Sequence, residues 1–473
     1  MSKRAIVQIG TEKTGSTTIQ HFLATNRASL RANGFQYPSF CGAMNHTGLA
    51  AYAMAPGRHD SLRTPFGYDG PNCVPAMRER MRMAAASELS ADLTAIFCSE
   101  HCHGRLVDVA EVATLRDFLI DLFDDVEISV YIRRQDQLAV SLHSTRLKSG
   151  GTGTTILPKS GPGEPYFDYD RMLGFWETCF GRDKVHVRLF DRRELTGGDV
   201  VSDFVAAWGL AGATPYASVP NQNEALSPLA LEFLRRVNQQ TVPADDMPAD
   251  DLRGFLCARL SALFPGRGVR PARAEAEAFY ARFRASNEAV RARHFPDRPS
   301  LFDEDFSSYP EEGDPSDFAL DDFAAVAAAL HAAATRENWR LEAEVAIRDA
   351  RLHLLRDRPA EAERAIARAL RWRPRHAEAH RVAAEIHLRH GRKAEALAAA
   401  GRAVEYRPDW HEHWHFLGMV RRRCGDLDGA AEAQQRTLAL APDHLGARNE
   451  LAQVAAASER RHAPSNPSLG ASA

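Results

Sequence analysis

The chain has 473 residues, of which 59 are basic and 62 acidic, giving a formal net charge of −3. This balance gives no support to a general binder of nucleic acid or of charged membrane surfaces, because such proteins carry an excess of basic residues. Apolar residues make up 44% of the chain and charged residues 26%, as in ordinary soluble globular proteins. The length predicts two or three domains.

The cysteines and the apolar runs of the sequence bear on its location in the cell. Seven cysteines are scattered along the chain without a Cys-x-x-Cys pair, which predicts reduced thiols and a cytoplasmic protein. The first apolar run is too short for the core of a signal peptide. No stretch approaches 18 consecutive apolar residues, so we expect no transmembrane helix.

Strand and helix patterns alternate through the first 215 residues. Short apolar runs predict buried strands at 4–10, 93–99, 126–132 and 185–190. Helical patterns follow them, at positions up to Asn33-Gly34 and at 108–123, 135–148 and 198–208. This alternation predicts an α/β fold with a parallel sheet flanked by helices. We assign residues 1–215 to this α/β core and residues 216–335 to a helical extension of it.

The C-terminal part of the chain repeats every 34 residues. Three columns keep this period: Ala350, Ala384 and Gly418; Ala362, Ala396 and Ala430; and Pro374, Pro408 and Pro442. Small residues suit the close crossing of two antiparallel helices, and proline ends the second helix, so the pattern resembles tetratricopeptide repeats. We predict an all-α repeat array at 343–457, ending in a capping helix, and a disordered tail at 458–473.

A candidate phosphate-binding turn lies between the first predicted strand and its helix. Residues 10–18 read Gly-Thr-Glu-Lys-Thr-Gly-Ser-Thr-Thr. Gly10 and Gly15 allow a tight turn, and the backbone N–H groups there, with those of the helix N-terminus, suit an anion. The candidate binding residues are Lys13, Thr14, Gly15, Ser16, Thr17 and Thr18. A Walker A motif has its lysine directly after the second glycine, so the position of Lys13 disfavours a P-loop kinase.

A second anion site is predicted after strand 126–132. Arg133 and Arg134 follow this strand, and Ser141 lies eight residues beyond Arg133 on the next predicted helix. An arginine at the carboxyl edge of a strand can donate two parallel hydrogen bonds to a phosphate. The short turn brings the Ser141 hydroxyl back towards the same place. Arg134 is an alternative to Arg133.

These two elements together resemble the PAPS-dependent sulfotransferases, and the bacterial branch of that family in particular. The sequence 13–18 is similar to the family's 5′-phosphosulfate loop, and Arg-x7-Ser at 133–141 is similar to its 3′-phosphate site. The stretches 185–195 and 301–306 are also similar, so that the resemblance covers residues 4–310. It implies a P-loop-like fold, PAPS as co-substrate without a metal, and Lys13 as the residue that stabilises the leaving phosphate.

A sulfuryl acceptor also needs a general base. The best candidate is Glu100, in the sequence CSEHCH at 98–103, because it lies just past a strand's carboxyl end, where open α/β sheets place their active sites. The resemblance allows either a glutamate or a histidine, so His101, His103 and His46 remain alternatives. Segment 98–103 also contains soft metal ligands, but a second ligand pair at zinc-site spacing is missing.

The sequence therefore predicts a sulfotransferase that moves a sulfuryl group from PAPS to a hydroxyl or amine. A saccharide, a lipid-linked sugar and a small metabolite all fit as the acceptor. A P-loop kinase and a non-catalytic nucleotide-binding scaffold are the alternatives. The Gly-, Thr- and Pro-rich segment 149–168 is interpreted either as a substrate lid or as a disordered insertion.

The repeats are predicted to bind a protein or peptide partner in a concave groove. An extended carbohydrate acceptor is the alternative occupant, suggested by the aromatic residues Trp372, Tyr406, Trp410 and Trp414. The histidines of the repeats are interpreted as part of a solvated face rather than as metal ligands. They are His387, His390, His411, His413 and His415.

Overall fold

The computed structural model of the chain describes residues 3–159, 161, 164–219, 225–240 and 249–462. It divides the chain into two compact units, residues 1–326 and 327–473. Most of the predicted tail, residues 463–473, lies outside the described residues, as do positions 160, 162 and 163 of segment 149–168. Among the described residues, no helix has both the length and the apolar character needed to cross a bilayer.

The first unit contains a five-stranded sheet in which every strand pair is parallel and the strand order is 2-3-1-4-5. The strands are β1 (Arg4–Gln8), β2 (Phe35–Gln36), β3 (Thr94–Cys98), β4 (Asp125–Ile132) and β5 (Val185–Leu189). Neighbouring side chains of β1 enter two different apolar cores, since Ile6 belongs to one and Val7 to the other. Both faces of the sheet are therefore covered, which explains why these strands read as continuous apolar runs.

Helices follow the strands and continue beyond the sheet. They are α1 (Ser16–Thr25), α2 (Arg27–Ala32), α3 (Thr47–Ala53), α4 (Val74–Glu88), α5 (His101–Arg105), α6 (Val109–Ile120), α7 (Gln135–Lys148), α8 (Tyr169–Phe180), α9 (Val200–Ala207), α10 (Pro228–Gln240), α11 (Ala249–Leu263), α12 (Arg273–Ala281) and α13 (Arg284–His294). The single helix expected up to Asn33 is two helices. Asn26 separates them, because its side-chain amide donates to the carbonyls of Phe22 and Ala217 at 2.9 and 3.0 Å.

The second unit consists of helices that pair in sequence. They are α14 (Leu320–Leu355, which begins in the first unit), α15 (Pro359–Trp372), α16 (Ala377–Arg389), α17 (Lys393–Tyr406), α18 (His411–Cys424), α19 (Leu427–Leu440) and α20 (Leu445–His462). Two predicted boundaries need correction. One continuous helix, α14, crosses the expected junction at 335–343. The last helix ends at His462, five residues into the range 458–473 that was expected to be disordered.

The 34-residue period reappears in the packing of the second unit. Ala350 and Ala384 are fully buried, and a Cβ atom added to Gly418 would come within 2.2 Å of Gln434 Nε2. A larger residue at 418 would therefore displace the Gln434 side chain, and the small residues of this column allow paired helices to cross closely.

The turns inside the helix pairs also share one conformation. Asp357, Gly391 and Gly425, spaced 34 apart, all have a positive φ, of 56°, 72° and 90°. The left-handed turn is thus a property of the repeat, and only its first copy lacks a glycine.

Candidate active site

Three neighbouring strands bring the predicted site residues to one edge of the sheet. The turn at residues 9–15 follows β1, Glu100 follows β3, and Arg133 follows β4. The chain leaves β1 towards β2 on one side and leaves β4 towards β5 on the other. Open α/β sheets bind ligands where the strand order reverses in this way, at the carboxyl ends of the strands.

The turn after β1 is tied to the neighbouring strand β4. The Thr11 amide and hydroxyl donate to the Tyr131 carbonyl at 2.7 and 3.1 Å, and the Tyr131 amide donates to the Gly10 carbonyl at 2.8 Å. The Thr14 hydroxyl donates to the Thr11 carbonyl at 2.6 Å. The turn is therefore held by β4 and by a hydrogen bond of its own.

Gly15 ends the turn and precedes α1 in a left-handed conformation, with φ of 79°. A Cβ atom there would lie 2.9 Å from Val200 Cγ1 and 3.1 Å from Phe190 Cε2, so glycine is required for both conformation and space. The first N–H groups of α1 have no partner within the helix and can serve an anion. Ser16 and Thr18 are buried beside them, whereas the Thr17 side chain is exposed.

Lys13 lies in this turn among charges of both signs. Burial lowers the pKa of its ammonium group, and the positive charges of Lys148 and Arg133 act in the same direction. The carboxylates of Glu12 and Glu100 oppose this effect and raise the pKa. An anionic ligand next to Lys13 would relieve the repulsion among the cations.

The two arginines after β4 have different roles. Arg133 donates to the Lys13 carbonyl at 3.3 Å and to Gln137 Oε1 at 3.2 Å, and within the described part of the chain it forms no ion pair. Burial lowers its pKa. Arg134 is 5% exposed and bonded to both carboxylate oxygens of Asp136, at 2.8 and 3.0 Å. Its remaining nitrogen donates to two backbone carbonyls, so Arg134 is committed to the fold and only Arg133 is available for a ligand.

Ser141 lies on α7 one helical turn beyond Gln137, the residue that contacts Arg133. Residues four apart share a helix face, so Ser141 and Arg133 flank the same side of α7. Ser141 is partly exposed. The expected pairing of Arg133 with Ser141 is therefore compatible with the helix geometry.

Glu100 is held by two amides that the sequence analysis did not identify. Gln20 Nε2 donates to its Oε2 at 2.6 Å, and Asn45 Nδ2 donates to its Oε1 at 3.1 Å. Ser99 Oγ fixes the orientation of Asn45 by donating to its Oδ1 at 2.9 Å. A signal for Gln20 was present, because a polar residue between the apolar Ile19 and Phe22 of a packed helix needs a buried partner.

The three histidines that were alternatives for the general base differ in burial and in their hydrogen bonds. His46 is fully buried, its Nε2 donates to the Pro38 carbonyl at 2.7 Å, and its Nδ1 accepts the Cys98 amide at 3.1 Å. Burial lowers its pKa to about 3, so His46 is a structural residue and not available as a base. His103 is 6% exposed and donates from Nε2 to the Tyr166 carbonyl at 3.1 Å. His101 is half-buried, and its Nδ1 has no hydrogen-bond partner among the described residues.

Segment 149–168 is anchored to the first unit where it is described. Arg282 donates to the Pro158 carbonyl at 2.8 Å and pairs with Glu164. Tyr166, near the end of the segment, donates to Glu12 Oε2 at 2.5 Å. The segment thus contacts the turn at residues 9–15 directly, through a residue next to Lys13.

One comparison with known proteins identifies a family in the second unit. A tetratricopeptide repeat family model matches residues 353–419. A protein of Archaeoglobus fulgidus described as uncharacterized is 28% identical over 137 residues, which are 28% of this chain and 36% of that protein. The chain therefore matches only about a third of the length of this relative.

Solved structures similar to this chain include tetratricopeptide repeat domains and the protein MamA. MamA is 19% identical, with 25% of this chain and 70% of that chain covered and a TM-score of 0.24. The first repeat domain of Spaghetti (RPAP3) bound to an HSP90 peptide is 20% identical, with 25% and 97% covered and a TM-score of 0.24. The Sgt2 domain of Aspergillus fumigatus is 18% identical, with 28% and 89% covered and a TM-score of 0.26. With the family match and the 34-residue packing period, the C-terminal part of this chain is an array of tetratricopeptide repeats.

Proposed function

We propose that the first unit binds PAPS and transfers its sulfuryl group to a hydroxyl or amine of an acceptor. The observation that supports this proposal most directly is the convergence of three groups at the carboxyl ends of adjacent strands. These groups are the Lys13 turn, the Arg133 guanidinium that contacts the Lys13 carbonyl, and the Glu100 carboxylate held by two amides.

In this proposal the turn and the α1 N-terminus hold the 5′-phosphosulfate. Arg133 and Ser141 hold the 3′-phosphate, because a guanidinium that forms no ion pair within the described part of the chain suits a dianion. The sheet order 2-3-1-4-5 supports a P-loop-like core, with the ligand at the reversal between β1 and β4.

The proposed reaction is an in-line displacement at sulfur, for which positioning and electrostatics dominate. The acceptor oxygen forms a bond to sulfur as the bond from sulfur to the bridging phosphate oxygen breaks. Glu100 accepts the acceptor's proton, and Lys13 stabilises the charge left on the bridging oxygen. Gln20 and Asn45 fix both Glu100 oxygens, so they position the base. PAPS supplies the sulfuryl group, and no step needs a metal.

The donor site is tested by ligand-dependent thermal stability with PAP, ADP and Mg-ATP. At about 100 times its Kd, a ligand specific for the native state adds roughly 2.7 kcal/mol of stability. We expect PAP to stabilise the wild type, ADP to do little, and Arg133→Ala to abolish the response. Arg146→Ala is the control, since Arg146 is an exposed arginine on α7, the helix that follows Arg133. Stabilisation by Mg-ATP but not by PAP would replace this proposal with the kinase alternative.

Activity distinguishes an enzyme from a scaffold. We expect the wild type to transfer labelled sulfate from PAPS to acceptors of the saccharide, lipid-linked sugar or metabolite class, and Lys13→Ala to remove this transfer. Binding of PAP without any transfer across such a panel, and without slow hydrolysis of PAPS, would favour the non-catalytic scaffold.

We further propose that the repeats bind a protein or peptide partner. The packing of the aromatic residues speaks against a carbohydrate-stacking face. Trp372 stacks on Trp339 at 5.9 Å, Tyr406 packs on His380 at 5.4 Å, and Trp414 donates to the Pro408 carbonyl at 2.9 Å. Unaltered acceptor kinetics in Trp410→Ala, the most exposed of the four predicted aromatics, would support the protein-partner proposal.

A further inference from the structure

The third repeat gathers three side chains that can ligate a metal ion. His411 and Glu412 begin α18, and His444 directly precedes α20. One ligand atom from each lies within 4.8 Å of the others. The Glu412 carboxylate oxygen Oε1 is central, 3.7 Å from His411 Nδ1 and 3.3 Å from His444 Nε2.

We propose that His411, Glu412 and His444 form a binding site for Zn²⁺ or a similar divalent transition metal, with water completing the coordination. Zinc binds imidazole nitrogen and carboxylate oxygen at about 2.0–2.2 Å in tetrahedral geometry, which places neighbouring ligand atoms about 3.3–3.6 Å apart. Two of the three separations here already have nearly this length. The third pair, one nitrogen from each histidine, lies within 4.8 Å and has to come closer when a metal binds.

A buried nitrogen without a hydrogen-bond partner is a second observation in favour of the site. His411 Nδ1 is buried and has no hydrogen-bond partner in the described part of the chain. A buried polar atom without a partner is uncommon in native proteins and calls for a missing ion or water. His411 Nδ1 lies 3.7 Å from Glu412 Oε1, so a cation bound between these two atoms would give the nitrogen a partner.

A comparison with the other repeats shows which part of this cluster is an ordinary structural contact. Glu344 and His376 occupy the same repeat positions as Glu412 and His444, at a similar Nε2 to Oε1 distance of 3.4 Å. In both cases the histidine Nδ1 accepts a backbone amide three residues ahead, at 3.2 Å for His376 and 3.0 Å for His444. This histidine–glutamate contact therefore belongs to the repeat architecture. Only the third repeat adds a histidine in the column that otherwise holds Ala343 and Ala377.

Metal binding would change the protonation of His444. While Nδ1 accepts the Ala447 amide, the ring proton is on Nε2 and directed at Glu412. Ligation through Nε2 moves this proton to Nδ1, and the Ala447 amide then loses its acceptor. The site therefore links metal occupancy to the capping of α20, and metal binding is opposed by the loss of that hydrogen bond.

The test is a Zn²⁺ titration of the full chain by calorimetry, with Mg²⁺ as a comparison. His411→Ala introduces the residue found at the same position in the other two repeats, and His444→Asn keeps a good helix-capping side chain, so both variants should fold. His376→Asn is the matched control, because it alters the equivalent cap of a repeat that lacks the third ligand.

We expect the wild type to bind one Zn²⁺ that is lost or at least tenfold weaker in His411→Ala and His444→Asn and unchanged in His376→Asn. Mg²⁺ should not compete, since it prefers oxygen ligands. Equal Zn²⁺ binding by the wild type and the first two variants would overturn the proposal, as would the absence of Zn²⁺ binding or equal competition by Mg²⁺. Because the site lies in the repeats, its failure would leave the PAP experiments on the first unit unaffected.

Discussion

Lys13, Glu100 and Arg133 are far apart in the sequence, and each follows a strand of its own. The pattern of a strand followed by polar residues was enough to select them as candidates. It was not enough to distinguish Arg133 from Arg134, or Glu100 from the histidines near it. Those choices depend on partners such as Asp136 for Arg134 and the Pro38 carbonyl for His46, which no local pattern reveals.

Glu100→Gln tests the role of the carboxylate. Glutamine keeps the size of the side chain but cannot take up a proton, so we expect turnover with PAPS to fall by about 10²- to 10⁴-fold. Stabilisation by PAP should stay unchanged, because in the proposed reaction Glu100 acts on the acceptor. His101→Asn is the control, with turnover within a few-fold of wild type. The opposite pattern, with His101→Asn inactive and Glu100→Gln active, would make His101 the base.

His46 makes the first unit sensitive to acid. Its native pKa is lowered from 6.5 to about 3 by burial, so between these values the unfolded chain takes up a proton that the native state does not. The contribution of His46 to the free energy of unfolding is therefore fully present above pH 6.5. As the pH falls from 6.5 towards 3, this contribution decreases by about 1.4 kcal/mol per pH unit.

Urea unfolding of the first unit at pH 7.5, 6.0 and 5.0 measures this loss of stability. His103 and His143 add to it, since burial lowers their pKa as well. In His46→Gln we expect lower stability at pH 7.5 but a shallower dependence on pH. An unchanged pH dependence in this variant would show that His46 is not the titrating group.

At the scale of helices and strands, sequence patterns were most successful where an element is long and regular. Helix α7 begins and ends at the predicted residues, 135 and 148. Strand β2 was missed because it has only two residues, too few for any pattern. The continuous helix α14 was divided in the prediction, although residues 320–355 contain neither glycine nor proline and therefore no reason to break.

The turn after β1 shows why some contacts of the candidate site were not predicted. Its sequence predicted the tight turn, but Gln20 and Asn45 contact Glu100 across 80 and 55 residues. The link from Tyr166 to Glu12 spans 154 residues. Such contacts depend on the order of the strands and on loop paths, which a single sequence does not specify.

The left-handed turns at Asp357, Gly391 and Gly425 predict a stabilising substitution. Asp357 has a φ of 56° where the other repeats have glycine. This conformation costs a non-glycine residue roughly 1–2 kcal/mol, whereas the greater freedom of glycine in the unfolded chain costs about 0.5–1 kcal/mol. Asp357→Gly should therefore stabilise the repeats by about 0.5–1 kcal/mol, measured by urea unfolding.

The side chain of Asp357 contributes little that this substitution would remove. The side chain is 94% exposed, and its Oδ1 atom lies 3.7 Å from Arg389 Nη1. Exposed ion pairs of this kind contribute little to stability. Gly391→Asp is the reverse control and should destabilise the repeats by a similar amount. A loss of stability in Asp357→Gly would mean that its carboxylate has a role beyond the turn.

At the scale of the whole molecule, the two units have separate apolar cores. The cores that flank the sheet use residues 5–309, and the core of the repeats uses residues 343–433. The repeat core consists largely of alanine, which permits close helix packing but buries little apolar area for each residue. Units with their own cores can unfold separately.

We therefore expect PAP to protect one unit and leave the other unchanged, as measured by amide hydrogen exchange with peptide-level resolution. Protection should increase across β1, β3, β4 and α1, because opening of these elements would release the ligand. Exchange in α16 to α20 should be unaltered by PAP, and Asp357→Gly should slow exchange only in the repeats. A PAP-dependent slowing of exchange in α16 to α20 would show instead that the donor site and the repeats are energetically coupled. Partner binding to the repeats would then change the affinity for PAP by the same factor, since such coupling is reciprocal.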